Sequence, residues 1–439
     1  MASRVEVARS YGAFPVVALA STLMLEQGER LSLAQAFDGI QDEFGVGDTA
    51  LGFLAGAMVL VGVVGGVPVG VLADRWRRTT LLVIAMIVWT ACMGLGAVAP
   101  GFVFLLVTRL GIGIVEANGP AAMSLMADYY PVALRARMLG RYQLGAAVGG
   151  LVGIGLSGVL VDAFGWRSAF WMWIPLGAVV VYAMTRLPEP DRGVQDVAYH
   201  VEAMTDLDVA TAATRTSSID YASAGWREVI PELLRIRSMW FGVMALTISS
   251  FLMGGLSAWG VEFFKRAHDL TATEASAFVP AIGGGAAIGL VGGGAIADRL
   301  LRRGVVNARV YVTAAASVAA SFLLIPAFLT GSLPTAAVLL FFGSFCLTVP
   351  VAPSEALFSD VVPGELRGRA ASVRAVVRAL SALAPFIVGV LSDATDLQTA
   401  LALVTPLYAI GGLVMLFAAR SYPADLAFVA AEARRSYSL

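Results

Sequence analysis

The chain is poor in charged residues, cysteine and histidine. Charged residues make up 14% of its 439 positions and hydrophobic residues 58%, whereas a typical soluble domain has about 25% charged and about 45–50% apolar residues. The two cysteines, Cys92 and Cys346, lie in apolar runs, and the two histidines, His200 and His268, are far apart. This composition argues against a soluble core, a disulfide framework and a His/Cys metal site.

Signatures of enzymes and ATP-driven pumps are missing from the sequence too. It contains no Ser/His/Asp or Cys/His constellation and no phosphate-binding loop. The net charge of -1 gives no support for a nucleic-acid partner. We therefore expect neither an enzyme nor a cofactor.

What the chain has in abundance is long apolar runs. A membrane helix needs about 20 mostly apolar residues, and twelve such segments are present. The predicted spans are 13–35, 49–72, 80–99, 102–127, 139–162, 167–186, 239–263, 274–297, 309–330, 335–358, 371–392 and 399–419. The first run follows Arg4 and Arg9, as in a signal peptide, but it continues through Glu26 to Arg30 without a cleavage site. We interpret it as a retained first helix.

The positive charges alternate with these spans. All but five of the 30 lysines and arginines fall on one predicted side of the membrane. The exceptions are Arg30, Arg109, Arg167, Lys265 and Arg266. Because cytoplasmic loops collect lysine and arginine, this bias predicts a multi-pass protein of the cell (inner) membrane with both termini in the cytoplasm.

The segment between the sixth and seventh spans differs in composition from the rest. It begins with an acidic, Thr/Ser-rich stretch and ends with apolar residues set among Arg227, Arg235 and Arg237. This second part is typical of an amphipathic helix on the membrane face. The predicted domains are a six-helix bundle at 1–187, a cytoplasmic linker at 188–238, a second bundle at 239–420 and a tail at 421–439.

Two short cytoplasmic motifs occur in both halves. After the second and eighth spans come GVLADRWRR (70–78) and GAIADRLLRR (294–303). After the fourth and tenth spans come DYYPVALRAR (128–137) and DVVPGELRGR (360–369). Six spans plus six spans with matching motifs indicate a duplicated bundle, whose halves rock about a site near the middle of the membrane.

In these motifs the chain resembles the major facilitator superfamily over nearly its whole length. The resemblance implies twelve transmembrane helices in two pseudo-symmetric bundles and a cytoplasmic charge latch. In that latch Asp74, near a helix N-terminus, pairs with Arg135 or Arg137. The alternative is a solvated turn that obeys the charge bias. The gating residues expected from the motifs are Asp74, Arg75, Arg78, Arg135, Arg137, Asp298, Arg299, Asp360 and Arg367.

Charges inside the spans are candidate functional residues because each costs at least about 2.5–3.5 kcal/mol to insert. Glu26 and Arg30 are four residues apart, a spacing that permits an ion pair, and Glu29 then lacks a local partner. Arg109 and Glu116 share a face of the fourth span. A buried carboxylate without a fixed cation takes up a proton readily, so two carboxylates near one arginine suffice for proton coupling.

The fourth span, RLGIGIVEA at 109–117, is similar to that of spinster-type lipid transporters, and so are GWRSAF at 165–170 and the Gly255-to-Trp259 spacing. Glu29 stands where that branch has aspartate, and a glycine beside the acid of the fourth span is missing. The resemblance implies that Glu29 and Glu116 are protonation sites. It also implies that Arg109 pairs with them or with an anionic head group, and that Arg30 supports Glu29.

Several structural alternatives stay open for these residues. In the structural alternative, Arg109 donates hydrogen bonds to backbone carbonyls and has no part in transport. Glu116 is then a permanent partner of Arg109 that never takes up a proton, and Glu26 only pairs with Arg30. The further substrate-binding candidates are Glu26, Asn118, Tyr142, Gln143, Trp259 and Glu355, and packing is the alternative for most of them. Glu355 follows Pro350 and Pro353, which predict a kinked tenth span.

Three functions compete at this stage. The favoured one is a monomeric, proton-coupled transporter of an amphipathic lipid such as a lysophospholipid, because few polar residues are expected to face the cavity. The second is a multidrug or organic-ion/proton antiporter of the same fold. The third is a sensor or scaffold, against which the duplicated motifs argue. The expected partners are membrane lipids, protons and a small amphipathic substrate.

Overall fold

The computed structural model describes residues 11–116, 119–130, 132–190, 226–362 and 366–436, and within these ranges the chain is helical without strands. Each of the twelve predicted spans coincides with one helix or with successive helical segments. In the described part, nine helices are long and apolar enough to cross a membrane. The predicted all-α membrane fold is thus confirmed.

The chain divides into two compact units. The first consists of Met1–Asp208 with the short segments Ser257–Lys265 and Leu270–Ala277. Its helices are α1 (Phe14–Gln35), α2 (Phe37–Phe44), α3 (Asp48–Arg75), α4 (Arg78–Ala97), α5 (Phe102–Glu116), α6 (Gly119–Tyr129), α7 (Val132–Phe164), α8 (Ser168–Trp171) and α9 (Trp173–Thr185).

The second unit consists of Val209–Leu256, Arg266–Asp269 and Phe278–Leu439. The helices from the linker onward are α10 (Trp226–Arg235), α11 (Arg237–His268), α12 (Ala272–Ser276, in the first unit), α13 (Val279–Arg302), α14 (Ala308–Leu329), α15 (Leu333–Thr348), α16 (Val351–Val361), α17 (Arg367–Arg378), a 3-10 turn (Ala379–Leu383), α18 (Ala384–Ala394), α19 (Leu397–Val404), α20 (Pro406–Met415) and α21 (Ala418–Ser436). The assignment of residue ranges to bundles and linker stays a prediction.

Glycines set the close contact between α1 and α7 in the first unit. Gly145, Gly149 and Gly153 recur every fourth residue on α7 and face the backbone of α1. A Cβ at any of them would collide with a backbone carbonyl of α1. Such small-residue faces let helices approach closely where hydrophobic burial alone does not drive association. This contact fixes the position of α1, which carries three of the candidate charges.

The second unit uses the same spacing on a different helix pair. Gly285, Gly289 and Gly293 of α13 face backbone carbonyls of α15 and of Val349 just beyond it, again without room for a Cβ. Glycine runs that would weaken a soluble helix therefore serve as packing faces in both units.

The tenth predicted span is interrupted, as its prolines suggest. α15 ends at Thr348 and α16 begins at Val351, after Pro350. Glu355 lies within α16. The break confirms the predicted kink, since a proline in a helix removes a backbone hydrogen bond.

The predicted amphipathic helix of the linker is present as α10. Its residues Val229 and Leu233 are buried in a core with Leu357 and Val361 of α16, whereas Ile230 and Leu234 are exposed. Part of its apolar face is therefore covered by protein. Its location on the membrane face stays a prediction.

Candidate functional site

A fully buried ion pair joins the first and fourth spans. α1 positions Glu29 and α5 positions Arg109, whose side chains are 1% and 0% exposed, and the two groups form a salt bridge. The guanidinium also lies over the Phe170 ring, 5.4 Å from its centroid, and contacts the Met93 sulfur at 3.9 Å. Glu29, which has no partner on its own helix, thus has one on a neighbouring helix.

A second ion pair joins the same two helices. Arg30 of α1 contacts Glu116, the last residue of α5, whose side chain is 5% exposed. The sequence spacing permitted an ion pair of Arg30 with Glu26, whereas the structure places the guanidinium on Glu116 and leaves Glu26 within electrostatic range. The support of Glu29 by Arg30 stays a prediction. Arg109 forms no salt bridge with Glu116, because seven residues place them about 10 Å apart along the helix axis, but Glu116 lies within electrostatic range of it.

Glu26 is the remaining carboxylate of the cluster. In the described part of the chain it forms no hydrogen bond and no salt bridge, although Arg30 and Glu116 lie within electrostatic range. It lines a small cavity together with Thr22, Trp89 and Tyr142. The alternative in which Glu26 is fixed by Arg30 is therefore not what the structure contains.

The charge cluster is thus defined by five residues on two helices: Glu26, Glu29, Arg30, Arg109 and Glu116. Glu29 and Arg109 are fully buried, whereas the Arg30 side chain is 37% exposed. It holds three carboxylates and two guanidinium groups. Because charge buried in a low-dielectric interior is costly without compensation, the third carboxylate makes the cluster suited to binding one proton.

An apolar groove lies between α1 and α7. It has a volume of about 420 Å³, and among the described residues that line it only Ser21 and Arg141 are polar. The predicted binding residue Tyr142 follows Arg141 but is buried on the cavity side beside Glu26. Gln143 is exposed.

The other predicted binding residues do not join the cluster. Trp259 is fully buried and packs edge-on against Phe37, with ring centroids 5.1 Å apart. Asn118 lies outside the described residues. Glu355 forms a salt bridge with Arg374, and Arg378 Nη1 lies 3.8 Å from it. The sequence interpretation overlooked both arginines, although their four-residue spacing in an apolar span was a usable signal.

The predicted gating residue Arg78 is buried in an ion cluster at the start of α4. Its guanidinium contacts Asp128 and donates to Glu189 at 3.0 Å. Partial burial disfavours the charge on Glu189, but hydrogen bonds from Thr79 and Arg78 prevail and hold its pKa below the usual value. Arg78 therefore ties the ends of three spans of the first unit together.

The second unit repeats part of this arrangement. Arg309, the second residue of α14, forms a salt bridge with Asp360, to which Tyr422 Oη donates at 2.7 Å. Asp298 and Arg299 are exposed near the end of α13. The remaining latch candidates have side chains outside the described part: Asp74, Arg75, Arg135, Arg137 and Arg367. The latch accordingly stays a prediction.

Two further charge clusters of the first unit were not predicted as sites. Lys265 bridges Asp38 and the fully buried Glu262, with 2.8 Å to the latter. The three-residue spacing of Glu262 and Lys265 on one helix was the available signal. Both terminal nitrogens of Arg167 donate to the Glu43 carboxylate, and Trp166 Nε1 donates to the same carboxylate at 2.8 Å. These bonds lower the pKa of Glu43 to about 2.

Comparison with known proteins defines the class to which this architecture belongs. The family model of the Major Facilitator Superfamily matches residues 19–383. The chain belongs to this superfamily and is a multi-pass membrane transporter. Its fold and family point to a transporter rather than an enzyme.

Individual relatives give a finer likeness. The chain is 24% identical over 255 residues to Protein spinster of Drosophila melanogaster. The matched region is 57% of this chain but only 38% of the fly protein. It is 25% identical over 401 residues to the cis,cis-muconate transport protein of Acinetobacter baylyi, covering 89% and 90% of the two chains.

The solved structures include a bacterial homologue of the human lysosomal transporter spinster, in an inward-facing and unoccupied conformation. It matches with a TM-score of 0.80 at 20% identity, covering 95% of this chain and 99% of the other. The resemblance to the spinster branch drawn from the motifs is supported by the sequence match to the fly protein. At this identity the structural match establishes the fold alone.

Proposed function

We propose that this chain is a proton-coupled secondary active transporter that works by alternating access and carries an amphipathic lipid such as a lysophospholipid. The observation that carries the proposal is the charge cluster, in which two ion pairs join the first and fourth spans and a third carboxylate, Glu26, lies close to them. Structural ion pairs need equal numbers of opposite charges, whereas a surplus carboxylate favours reversible protonation.

Proton coupling follows from the placement of these charges on separate helices. Glu29 and Arg109, and likewise Arg30 and Glu116, belong to α1 and α5. Protonation of a carboxylate weakens its ion pair with the guanidinium. It therefore weakens the interaction between the two helices. Glu29 and Glu116 are accordingly assigned as protonation sites, and Arg109 and Arg30 as their exchangeable partners.

The apolar groove supports an amphipathic substrate. Its walls are apolar apart from Ser21 and Arg141, so it suits an acyl chain with an anionic head group near the arginine. The likeness to spinster proteins points in the same direction. A sugar would instead need many hydrogen-bonding groups.

Uptake into proteoliposomes tests the proposal. Wild-type protein is expected to accumulate a labelled lysophospholipid only when a pH gradient is imposed, and Glu29→Gln and Glu116→Gln are expected to lose this stimulation. Glu228→Gln, at an exposed carboxylate on α10, is the matched control and retains it. Gradient dependence that survives in Glu116→Gln contradicts the assignment of that residue.

A second candidate is a multidrug or organic-ion/proton antiporter. It is favoured by the match to a muconate transport protein along nearly the whole chain. The same vesicles discriminate between the two candidates: uptake of a dicarboxylate or of a cationic dye, with no uptake of the lysophospholipid, supports the second and rejects the first.

The proposal includes an orientation and a gate. Both termini lie in the cytoplasm of the cell (inner) membrane, the bundles span 1–187 and 239–420, and the protein acts as a monomer. Asp74→Asn is expected to shift the population toward inward-open states by weakening the latch. Unchanged labelling of single cysteines placed on the cytoplasmic side of the cavity would contradict the latch.

A further inference from the structure

Two arginines lie inside the eleventh span, in the second unit. Arg374 and Arg378 are on α17, within an apolar helical stretch of 26 residues, Arg369–Ala394, that is long enough to cross a membrane. Four residues separate them, so both side chains lie on one face of the helix. A guanidinium within an apolar span is costly and faces the bundle interior or a water-filled cavity rather than lipid. This face therefore borders water or a polar ligand.

The two arginines are held differently. The guanidinium of Arg374 forms a salt bridge with Glu355 of α16 and lies over the Phe358 ring, 4.3 Å from its centroid. Its side chain is 18% exposed, whereas that of Arg378 is 43% exposed. Arg378 Nη2 donates to Ser250 Oγ of α11 at 3.3 Å, and its Nη1 lies 3.8 Å from Glu355 Oε1, beyond hydrogen-bond distance. Among the described residues these are its polar contacts, so Arg378 keeps donors for a ligand.

The charges on this face do not cancel. In the described part of the chain, Glu355 is the only carboxylate within 4 Å of either guanidinium. The two arginines therefore share one negative charge, and the surplus positive charge lies on the more exposed one, Arg378. A guanidinium presents a planar fork of N–H donors that fits the oxygens of a phosphate or a carboxylate. The ligand that balances this face is an anion.

Both spans that carry these charges are interrupted beside them. α17 ends at Arg378, and a 3-10 turn, Ala379–Leu383, separates it from α18. The tenth span is broken between Thr348 and Val351, about one turn before Glu355. Arg378 lies about 14 Å along the axis from the start of its apolar stretch, well inside the span. Discontinuous helices with polar groups at this depth are typical of substrate sites in secondary transporters.

We propose that Arg378 binds the phosphate of a lysophospholipid head group, with the Ser250 hydroxyl beside it, and that Arg374 keeps this site open by holding Glu355. Without Arg374, Glu355 turns to Arg378, since their nearest side-chain atoms are already 3.8 Å apart. The carboxylate then occupies the donors that the phosphate needs. Arg374 is accordingly a positioning residue. This inference rests on the proposed function and names the residue that selects the substrate by its charge.

Binding of a labelled lysophosphatidylglycerol to the purified full-length protein in detergent tests the site. Arg378→Gln is expected to lower the affinity about tenfold or more, because a charge-assisted hydrogen bond to the phosphate is lost. Arg235→Gln, at a side chain on α10 that is 74% exposed, is the matched control and is expected to keep wild-type affinity. Wild-type affinity in Arg378→Gln overturns the proposal, and so does an equal loss in Arg235→Gln.

The positioning role of Arg374 has a signature that misfolding does not produce. Arg374→Gln is expected to weaken binding, whereas Glu355→Gln is expected to strengthen it. The double variant, Arg374→Gln with Glu355→Gln, is expected to recover at least wild-type affinity, because no carboxylate is left to occupy Arg378. A double variant that binds as weakly as Arg374→Gln alone overturns this part of the proposal.

Competitors identify the chemical group that is recognised. Dodecyl phosphate is expected to displace the lysophospholipid from the wild type, whereas dodecyltrimethylammonium, which has the same chain with a cation, is not. Displacement by inorganic phosphate at the same concentration would mean that the site takes a free anion, and overturns the lipid as its ligand. A loss of affinity in Arg141→Gln that exceeds the loss in Arg378→Gln places the head group in the groove of the first unit and overturns this site.

Transport measured on the same variants separates this inference from the function on which it rests. A wild type that binds the lysophospholipid through Arg378 but shows no gradient-driven uptake contradicts the proposed function and leaves the site intact. Gradient-driven uptake that Arg378→Gln performs with the wild-type KM contradicts the site alone.

Discussion

The two units carry ion pairs of different kinds. In the first unit, Glu29 and Arg109 are 1% and 0% exposed. In the second, Glu355 is 40% and Arg374 18% exposed. Removing one partner of a buried ion pair destabilises a protein strongly, because the other charge stays buried without compensation. Solvent-exposed ion pairs contribute little to stability. The units therefore share a packing scheme but differ in how far their ion pairs are withdrawn from solvent.

The largest expected effect comes from removing the buried arginine. Arg109→Met leaves Glu29 buried without a cation and is expected to destabilise the protein by about 3–5 kcal/mol, measured by thermal unfolding in detergent. Arg374→Met is the matched variant in the second unit and is expected to cost less than about 1 kcal/mol. Equal losses would contradict the contrast between the units.

A second pair of variants compares the repeated cytoplasmic clusters. Arg78→Gln removes the buried guanidinium that contacts both Asp128 and Glu189 and is expected to cost about 3 kcal/mol, since Arg78 is 2% exposed. Arg309→Gln acts on Asp360, which is 29% exposed, and is expected to cost about 1 kcal/mol. Thermal unfolding in detergent measures both variants. A larger loss of stability for Arg309→Gln than for Arg78→Gln would contradict the contrast between the two clusters.

Glycine substitutions probe the packing that the units share. Gly149→Ala and Gly289→Ala each place a Cβ against a backbone carbonyl of the facing helix and are expected to cost about 1–3 kcal/mol apiece through overpacking. Gly155→Ala, with open space around its Cβ, is expected to be neutral or stabilising. Similar losses of stability in Gly149→Ala and Gly289→Ala support the same glycine-based packing in both units. A loss in only one of the two variants contradicts it.

The smallest effect is expected at the exposed cluster of Glu43 and Arg167. Glu43 has its pKa lowered from 4.5 to about 2, so its contribution is present above about pH 4.5 and disappears as pH falls toward 2. Because the carboxylate is 42% exposed, solvent screens the interaction and the contribution stays small. Glu43→Gln is expected to flatten this part of the stability profile. If stability between pH 4.5 and 2 falls in Glu43→Gln as it does in the wild type, groups other than Glu43 cause that fall.

Composition and spacing determined a large part of this molecule. Each of the twelve spans predicted from the apolar runs coincides with helix in the described part of the chain, because a helix that crosses a membrane must be long and apolar whatever its neighbours are. The prolines predicted the break before Glu355. The duplicated motifs predicted the superfamily to which the chain belongs.

The tertiary structure decided which charges meet. Spacing rules describe one helix at a time, so they suggested Glu26 with Arg30 and placed Arg109 on the face of Glu116. The folded chain instead pairs α1 with α5, because glycines on α7 seat α1 where its acids and arginine face the fourth span. In this packing Glu26 forms no salt bridge within the described part of the chain. The sequence by itself determined that charges lie within the apolar spans, because composition and spacing are local, and long-range contacts between helices decided which of these charges form pairs.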